Sequence, residues 1–278
     1  MSDRLTVTMD GGVADVRLNR PDKRNALDGA MFDALVETSA ALAEDSAVRC
    51  VVLSGEGASF CAGLDFGSFN AMADGSMGGG DSDSDDSDGG SRITDIEEGR
   101  ITHHGQQACY GWTSMPVPVI AAVHGHALGG GIQLALSADV RIVAPDTKMS
   151  VLEIRWGLIP DMTGTQSLVD LVGLDVAKEL TFTGRMVSGA EAAELGLATH
   201  VSDDPRADAL AMAHEIAGKS PHAIRAAKRL FNDAPRVGRA EGFAAERAEI
   251  GKLIGSPNQV ESVMAFFEKR DPNFADPS

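Results

Sequence analysis

Apolar and polar residues alternate at 5–9 (Leu-Thr-Val-Thr-Met) and again at 13–18 (Val-Ala-Asp-Val-Arg-Leu), with Asp10-Gly11-Gly12 between the runs. Alternation of period two marks half-buried strands, and this glycine-rich link predicts a hairpin. The period then changes. Across 25–43, Leu27, Met31, Ala34, Leu35, Thr38 and Leu42 share one helical face. Two apolar runs, 48–54 and 117–124, are candidate buried strands; the first closes on Gly55-Glu56-Gly57, the second on Gly125 and Gly129-Gly130-Gly131. Residues 132–137 are expected to begin a helix, and 140–144 to form another strand. Strand, glycine-rich turn, helix and strand in this order predict an α/β core with parallel connections.

The last third reads as helices at 207–218, 221–232, 239–253 and 259–269, with Ser220 as a cap and Pro221 in the first helical position. We therefore expect a core over 1–200 and a C-terminal helical region over 201–278, serving as a lid or an oligomerisation layer. No internal repeat is present.

Composition narrows the functional classes. The chain has 278 residues, 43% hydrophobic and 23% charged, with 24 Lys+Arg against 41 Asp+Glu and a net charge of −17. That supports a sizeable core and argues against a nucleic-acid clamp. The acids concentrate at 74–98, nine of them against Arg92 alone, around a stretch at 78–91 of only Gly, Asp and Ser. Such a tract buries too little apolar surface to offset its ordering entropy, so an acidic low-complexity insert is expected. A calcium loop starting at Asp81 would need Gly at its sixth position and Glu at its twelfth, where Asp86 and Arg92 stand. Cys50, Cys61 and Cys109 form no disulfide framework and no zinc pair. No signal-peptide pattern or membrane-length apolar run is seen, and a cytoplasmic location is expected.

Two glycine-containing turns follow strands, at 59–65 and 125–133. Alone, each is ordinary turn geometry. The second lacks the spacing and lysine of a nucleotide loop. Together they could aim backbone N–H groups at one oxygen and stabilise a developing oxyanion.

Six segments then carry a resemblance: Asn-Arg-Pro-Asp-Lys-Arg-Asn-Ala-Leu at 19–27, Phe-Cys-Ala-Gly-Leu-Asp at 60–65, Ala-Ala-Val-His-Gly-His-Ala-Leu-Gly-Gly-Gly at 121–131, Gly-Leu-Ile-Pro-Asp-Met-Thr-Gly-Thr-Gln at 157–166, Thr-Gly-Arg-Met-Val-Ser-Gly-Ala-Glu-Ala-Ala-Glu-Leu-Gly-Leu at 183–197, and Phe-Glu-Lys-Arg at 267–270. In this order the chain resembles the crotonase (enoyl-CoA hydratase/isomerase) superfamily. The resemblance implies repeated ββα units with C-terminal helices, assembly as a homotrimer or dimer of trimers, and an acyl-CoA thioester as substrate. Coenzyme A then belongs to the substrate, with no separate cofactor, metal, nucleic acid or membrane. By match to the family pattern, the amides of Ala62 and Gly130 would bind the thioester oxygen. Arg24, Ala26, Ala62, Leu64, Asp65 and Gln133 would line the substrate site, and Lys269 either reaches a phosphate or is a solvated charge.

The acid–base residues decide the reaction. Hydratases of the family carry one glutamate after the three-glycine turn and a second twenty positions later. Here those positions hold Gln133 and Glu153. An amide exchanges no proton near neutral pH, so Glu153 is the principal candidate and hydration loses a partner. Asp161 stands where dienoyl-CoA isomerases carry an aspartate. It either pairs with Glu153 in a long proton shift or caps a helix beginning near Thr163. The resemblance thus implies double-bond isomerisation ahead of hydration, with a non-catalytic acyl-CoA binder as the alternative from another class. His124, His126 and Cys61 are read as packing residues, the adjacent pair His103-His104 beside the insert does not by itself make a site, and no G-x-S-x-G elbow marks a nucleophilic serine.

Overall fold

The computed structural model describes residues 3–65, 67, 95, 96 and 98–277. The expected insert lies outside the described residues apart from Asp95, Ile96 and Glu98, and so do Phe66 and Phe69, two aromatics that follow the 60–65 segment and are candidates to shape an acyl pocket.

The hairpin forms as expected. Strands β1 (Leu5–Asp10) and β2 (Val13–Leu18) are antiparallel, joined by Gly11 and Gly12 at φ 55 and 83, where only glycine avoids a steric penalty. Parallel strands β3 (Cys50–Gly55), β4 (Val119–Val123), β6 (Val140–Val143) and β9 (His200–Val201) extend a sheet of order β1-β2-β3-β4-β6-β9. β3 and β4 are buried along their whole length, as continuous apolar runs between parallel neighbours should be. A smaller sheet joins β5 (His126–Leu128), β7 (Lys148–Ser150) and β8 (Val187–Ser188).

Helix α1 (Gly29–Glu44) starts four residues later than its apolar spacing suggests. Arg24 and Asn25 hold left-handed φ values of 49 and 56, and Leu27 pairs in a bridge with Leu64, so the chain first makes a turn. Asp28 then caps the helix on the Met31 amide at 2.9 Å. Helix α2 (His104–Thr113) packs against α1, and α3 (Gly130–Leu136) leaves the three-glycine turn directly. A short 3-10 turn (Glu153–Trp156) precedes α4 (Gly164–Val172), α5 (Leu174–Thr183) and α6 (Gly189–Leu195).

The sheet divides two apolar clusters. One face gathers Leu27, Met31, Leu35, Leu53, Phe60, Trp112 and Ile132 beneath α1, α2 and α3. The other is covered by α7 (Pro205–Ala217), whose Ala209, Ala213 and Ala217 lie against Val52, Ile120 and Ile142. Helix α7, assigned by sequence to the C-terminal region, is therefore a layer of the core. Helices α8 (Pro221–Asp233), α9 (Arg239–Leu253) and α10 (Pro257–Glu268) complete the chain. Pro221 opens α8 as expected, but Ser220 gives no side-chain cap. None of the helices among the described residues is long and apolar enough to cross a membrane.

Candidate active site

The three-glycine turn is built by contact. Gly129 adopts φ 54 and ψ −122, which side chains do not tolerate. A Cβ on Gly131 would fall 2.2 Å from the Cys61 carbonyl oxygen. One on Gly130 would meet Leu27 Cδ1 at 2.8 Å and Met162 Sδ at 2.9 Å. Glycine lets this turn lie flat on the segment after Phe60.

That segment alternates its amides between two neighbours. Cys61 N–H donates to His126 O (2.9 Å), and Leu128 N–H returns to Cys61 O (3.1 Å). Ala62 N–H then turns the other way, onto Arg24 O at 2.9 Å. Leu27 N–H donates to Gly63 O and Asp65 N–H to Leu27 O. In a parallel bridge of this kind the paired residue, Leu64, keeps its own N–H pointing away from Leu27. Among the described residues Leu64 N–H finds no acceptor, nor does Gly130 N–H at the head of α3. This corrects the expectation for Ala62, whose amide is occupied by the scaffold. Leu64, two residues on, holds the unoccupied one, and Gly63 between them sits 3.7 Å, by its virtual Cβ, from the Gly130 nitrogen.

Glu153 stands beside this turn, its Oε1 3.6 Å from where a Gly129 Cβ would lie. The residue is 8% exposed, and its Oε2 is buried with no hydrogen-bond partner among the described residues. Burial pushes the carboxyl pKa up, and the nearby charge of Asp161 pushes in the same direction. Gln133, 1% exposed, uses every polar atom it has. Its Nε2 donates to Glu153 Oε1 at 2.5 Å, and its Oε1 accepts from Met162 N (2.8 Å) and Gly164 N (3.0 Å).

One of those bonds bears on the capping role expected of Asp161. Helix α4 begins at Gly164 after Thr163, which lies at φ 73 and gives no side-chain cap. Of the amides a capping Asp161 would take, that of Gly164 is held by Gln133, and Asp161 is exposed with no hydrogen bond among the described residues. Asp161 does not cap α4.

The remaining expected residues divide. Asp65 accepts Gly67 N–H at 2.7 Å and pairs with Arg20 at 2.7 Å; with these bonds its carboxyl is held below the usual range despite partial burial. Ala26 is buried, its carbonyl bonded to Arg20 Nη1 at 3.1 Å, and Arg24 is exposed. Lys269 ends α10 in a left-handed conformation, exposed, and makes no ion pair with the others among the described residues. Sequence reasoning overlooked Asn25. Fully buried, it accepts Arg20 N–H (2.8 Å) and donates to Glu56 O (2.9 Å) and Ser59 O (2.8 Å), tying the first loop to the second. The signal was an asparagine in a turn, a residue that tolerates the left-handed region.

The histidines hold structure: His124 bonds Gly57 O, His126 bonds Ser59 Oγ, His103 caps α2 and His104 pairs with Asp33. Burial pushes the Cys61 thiol up to about 12, which leaves no thiolate near neutral pH. Among the described residues no cluster of three or more His, Cys, Asp or Glu side chains could hold a metal ion.

A family model described as enoyl-CoA hydratase/isomerase matches residues 13–277. The chain is 36% identical over 270 residues to the Mus musculus protein named enoyl-CoA hydratase domain-containing protein 2, mitochondrial, covering 95% of this chain and 84% of that protein. It is 33% identical over 270 residues to methylglutaconyl-CoA hydratase, mitochondrial, of Mus musculus, covering 95% and 79%. Among solved structures, the enoyl-CoA hydratase of Bacillus anthracis aligns with a TM-score of 0.83 and 29% identity across 98% of both chains. The chain has the crotonase fold and belongs to the enoyl-CoA hydratase/isomerase family of enzymes.

Proposed function

We propose that the protein moves protons on an unsaturated acyl-CoA thioester, with double-bond isomerisation ahead of hydration. The amides of Leu64 and Gly130 receive the thioester oxygen as charge develops on it. Glu153 exchanges the proton beside the thioester, and Asp161 serves the distal carbon, so a proton leaves one carbon, another is gained elsewhere and the double bond shifts between them. Loss of one such amide donor typically costs about a hundred- to a thousandfold in rate. Arg24, Ala26, Leu64 and Asp65 line the path of the coenzyme A moiety, and Lys269 reaches a phosphate from a neighbouring copy. Assembly as a homotrimer or dimer of trimers agrees with the apolar side chains that α8 and α10 expose, Phe231 and Phe266 at 77% among them.

One observation carries this reading: a buried carboxyl, Glu153, beside the three-glycine turn, whose Oε2, like the amides of Leu64 and Gly130, has no hydrogen-bond partner among the described residues. Gln133 supplies no second acid, which counts against efficient hydration. Hydration is the second reading, supported by relatives named as hydratases. Turnover of a dienoyl-CoA, a 3-enoyl-CoA and crotonyl-CoA separates the two. Crotonyl-CoA hydration as the fastest reaction would reverse the order. An acyl-CoA that binds yet stays unchanged with every substrate would make the chain a non-catalytic binder.

A further inference from the structure

We propose that Gln133 is a positioning residue: it fixes Glu153 against the head of α4, where Asp161 stands, and leaves Oε2 of Glu153 as the oxygen that exchanges the proton. The inference rests on the assignment of Glu153 as the acid–base group.

The geometry allows Gln133 one orientation. Two backbone N–H groups, of Met162 and Gly164, converge on one of its terminal atoms. Only the carbonyl oxygen can accept both, so the NH2 group must face Glu153. Glu153 Oε1 then always receives a hydrogen bond at 2.5 Å. A proton on Oε1 would confront that N–H. The neutral acid therefore carries its proton on Oε2, which has no other partner among the described residues. The two bonded amides flank Thr163 and begin one residue after Asp161. A single side chain thus spans from the acid–base carboxyl to the backbone that bears the second one. A proton shift between two carbons needs its two carboxyl groups at a constant separation, and this tie supplies it.

The same bonds hold Thr163, a β-branched residue, at φ 73, a conformation such residues adopt only under external constraint. Gly164 is part of the device. A Cβ there would lie 2.5 Å from Gln133 Oε1 and 2.9 Å from its Cδ and Cγ, so Gly164→Ala displaces the amide without altering Gln133.

Few charges compete at this corner. Glu153 feels Asp161, and it shares the pocket electrostatically with Cys109 of α2. Helix α3 has no titratable side chain, His126 of β5 is bonded to Ser59, Lys148 begins β7 at an exposed position, and Glu179 of α5 is paired with Arg185. Loss of the Gln133 bond removes a contact that favours the carboxylate, and the carboxyl pKa rises further.

The test is the pH dependence of kcat and kcat/KM for isomerisation by the wild type, Gln133→Met, Gly164→Ala and Glu153→Gln, each checked for its melting transition. Both Gln133→Met and Gly164→Ala are expected to lower kcat by about 10- to 100-fold with KM changed less than about threefold. Their acidic limb should move to higher pH by about one unit. Gly164→Ala adds helix propensity, so it keeps the question answerable if Gln133→Met folds poorly. Glu153→Gln inactive, with both other variants retaining the wild-type limb and kcat, overturns the role of Gln133 alone. Activity retained in Glu153→Gln overturns the functional assignment beneath it.

Discussion

The Glu153 corner and the C-terminal helices use their side chains in opposite ways. At the corner, Gln133 is 1% exposed with all its polar atoms bonded, and Glu153 has one oxygen without a partner among the described residues. Along α8, α9 and α10 the apolar residues face outward: Phe231, Phe243, Ile254, Phe266 and Phe267 are between 55% and 77% exposed, and α9 buries none of its residues. Isolated exposed apolar residues are ordinary, whereas this many on neighbouring helices is what the proposed assembly of several copies would require. The contrast separates chemistry from assembly. Changes at the corner should alter turnover at constant oligomer mass, and changes on the helices should do the reverse.

The largest effect is expected for Glu153→Gln. It keeps the volume and a hydrogen-bonding tip but removes the proton carrier. Turnover should fall by about a thousandfold or more, equivalent to about 4 kcal/mol in the barrier, with light scattering giving the wild-type mass. A variant that loses activity only because it falls apart would break the separation.

Next comes the helical surface. The double substitution Phe266→Ser with Phe267→Ser replaces side chains 77% and 74% exposed in the chain. The proposed assembly should dissociate to a smaller species at micromolar concentration while the far-ultraviolet circular dichroism stays unchanged. A wild type that is itself monomeric would contradict the proposal.

Gly131→Ala sharpens the structural side of the corner. Its Cβ would stand 2.2 Å from Cys61 O, so backbone must move, at a cost of about 1–3 kcal/mol. A lowered melting temperature is expected, and an unchanged one would mean that the turn and the 61–65 segment do not touch as described.

The smallest effect concerns Asp28, at the loop that precedes α1. Burial raises its carboxyl pKa, but the Arg4 hydrogen bonds, the Met31 amide and Arg20 together outweigh burial and hold it below the ordinary range. A depressed folded-state value stabilises the fold above the unfolded-state pKa, and that stabilisation is lost as pH falls through the folded value. Arg4→Met should therefore cost roughly 0.5–1 kcal/mol at pH 7, read from urea midpoints, and the difference should shrink toward pH 3.

Much of the core was legible in the sequence because it rests on short-range pattern. Asp10-Gly11-Gly12 between alternating runs gave the hairpin, the apolar runs gave β3 and β4, and 239–253 gave α9 to the residue. What escaped depends on which segment lies beside which. The unoccupied amide belongs to Leu64 rather than Ala62 because the 61–65 segment alternates between β5 and the 24–27 loop, a relation no local spacing reveals. Helix α1 starts late because Arg24 and Asn25 turn left-handed to let Leu27 pair with Leu64. Gln133 read as a missing acid, whereas its contacts with the start of α4, some thirty residues on, make it a tie between the two carboxyl-bearing segments. Asp161 read nearly as well as a cap as it did as an acid–base group, and only the fold shows it exposed, with the Gly164 amide taken by Gln133.

Solvent hydrogen exchange tests the central claim most directly, since it isolates proton transfer beside the thioester from the rest of the reaction. A saturated acyl-CoA incubated with the enzyme in deuterium oxide should gain deuterium at the carbon next to the carbonyl, by mass spectrometry, and Glu153→Gln should leave it unlabelled. Labelling at the wild-type rate by that variant, or no labelling by the wild type while it converts an enoyl-CoA, would contradict the account.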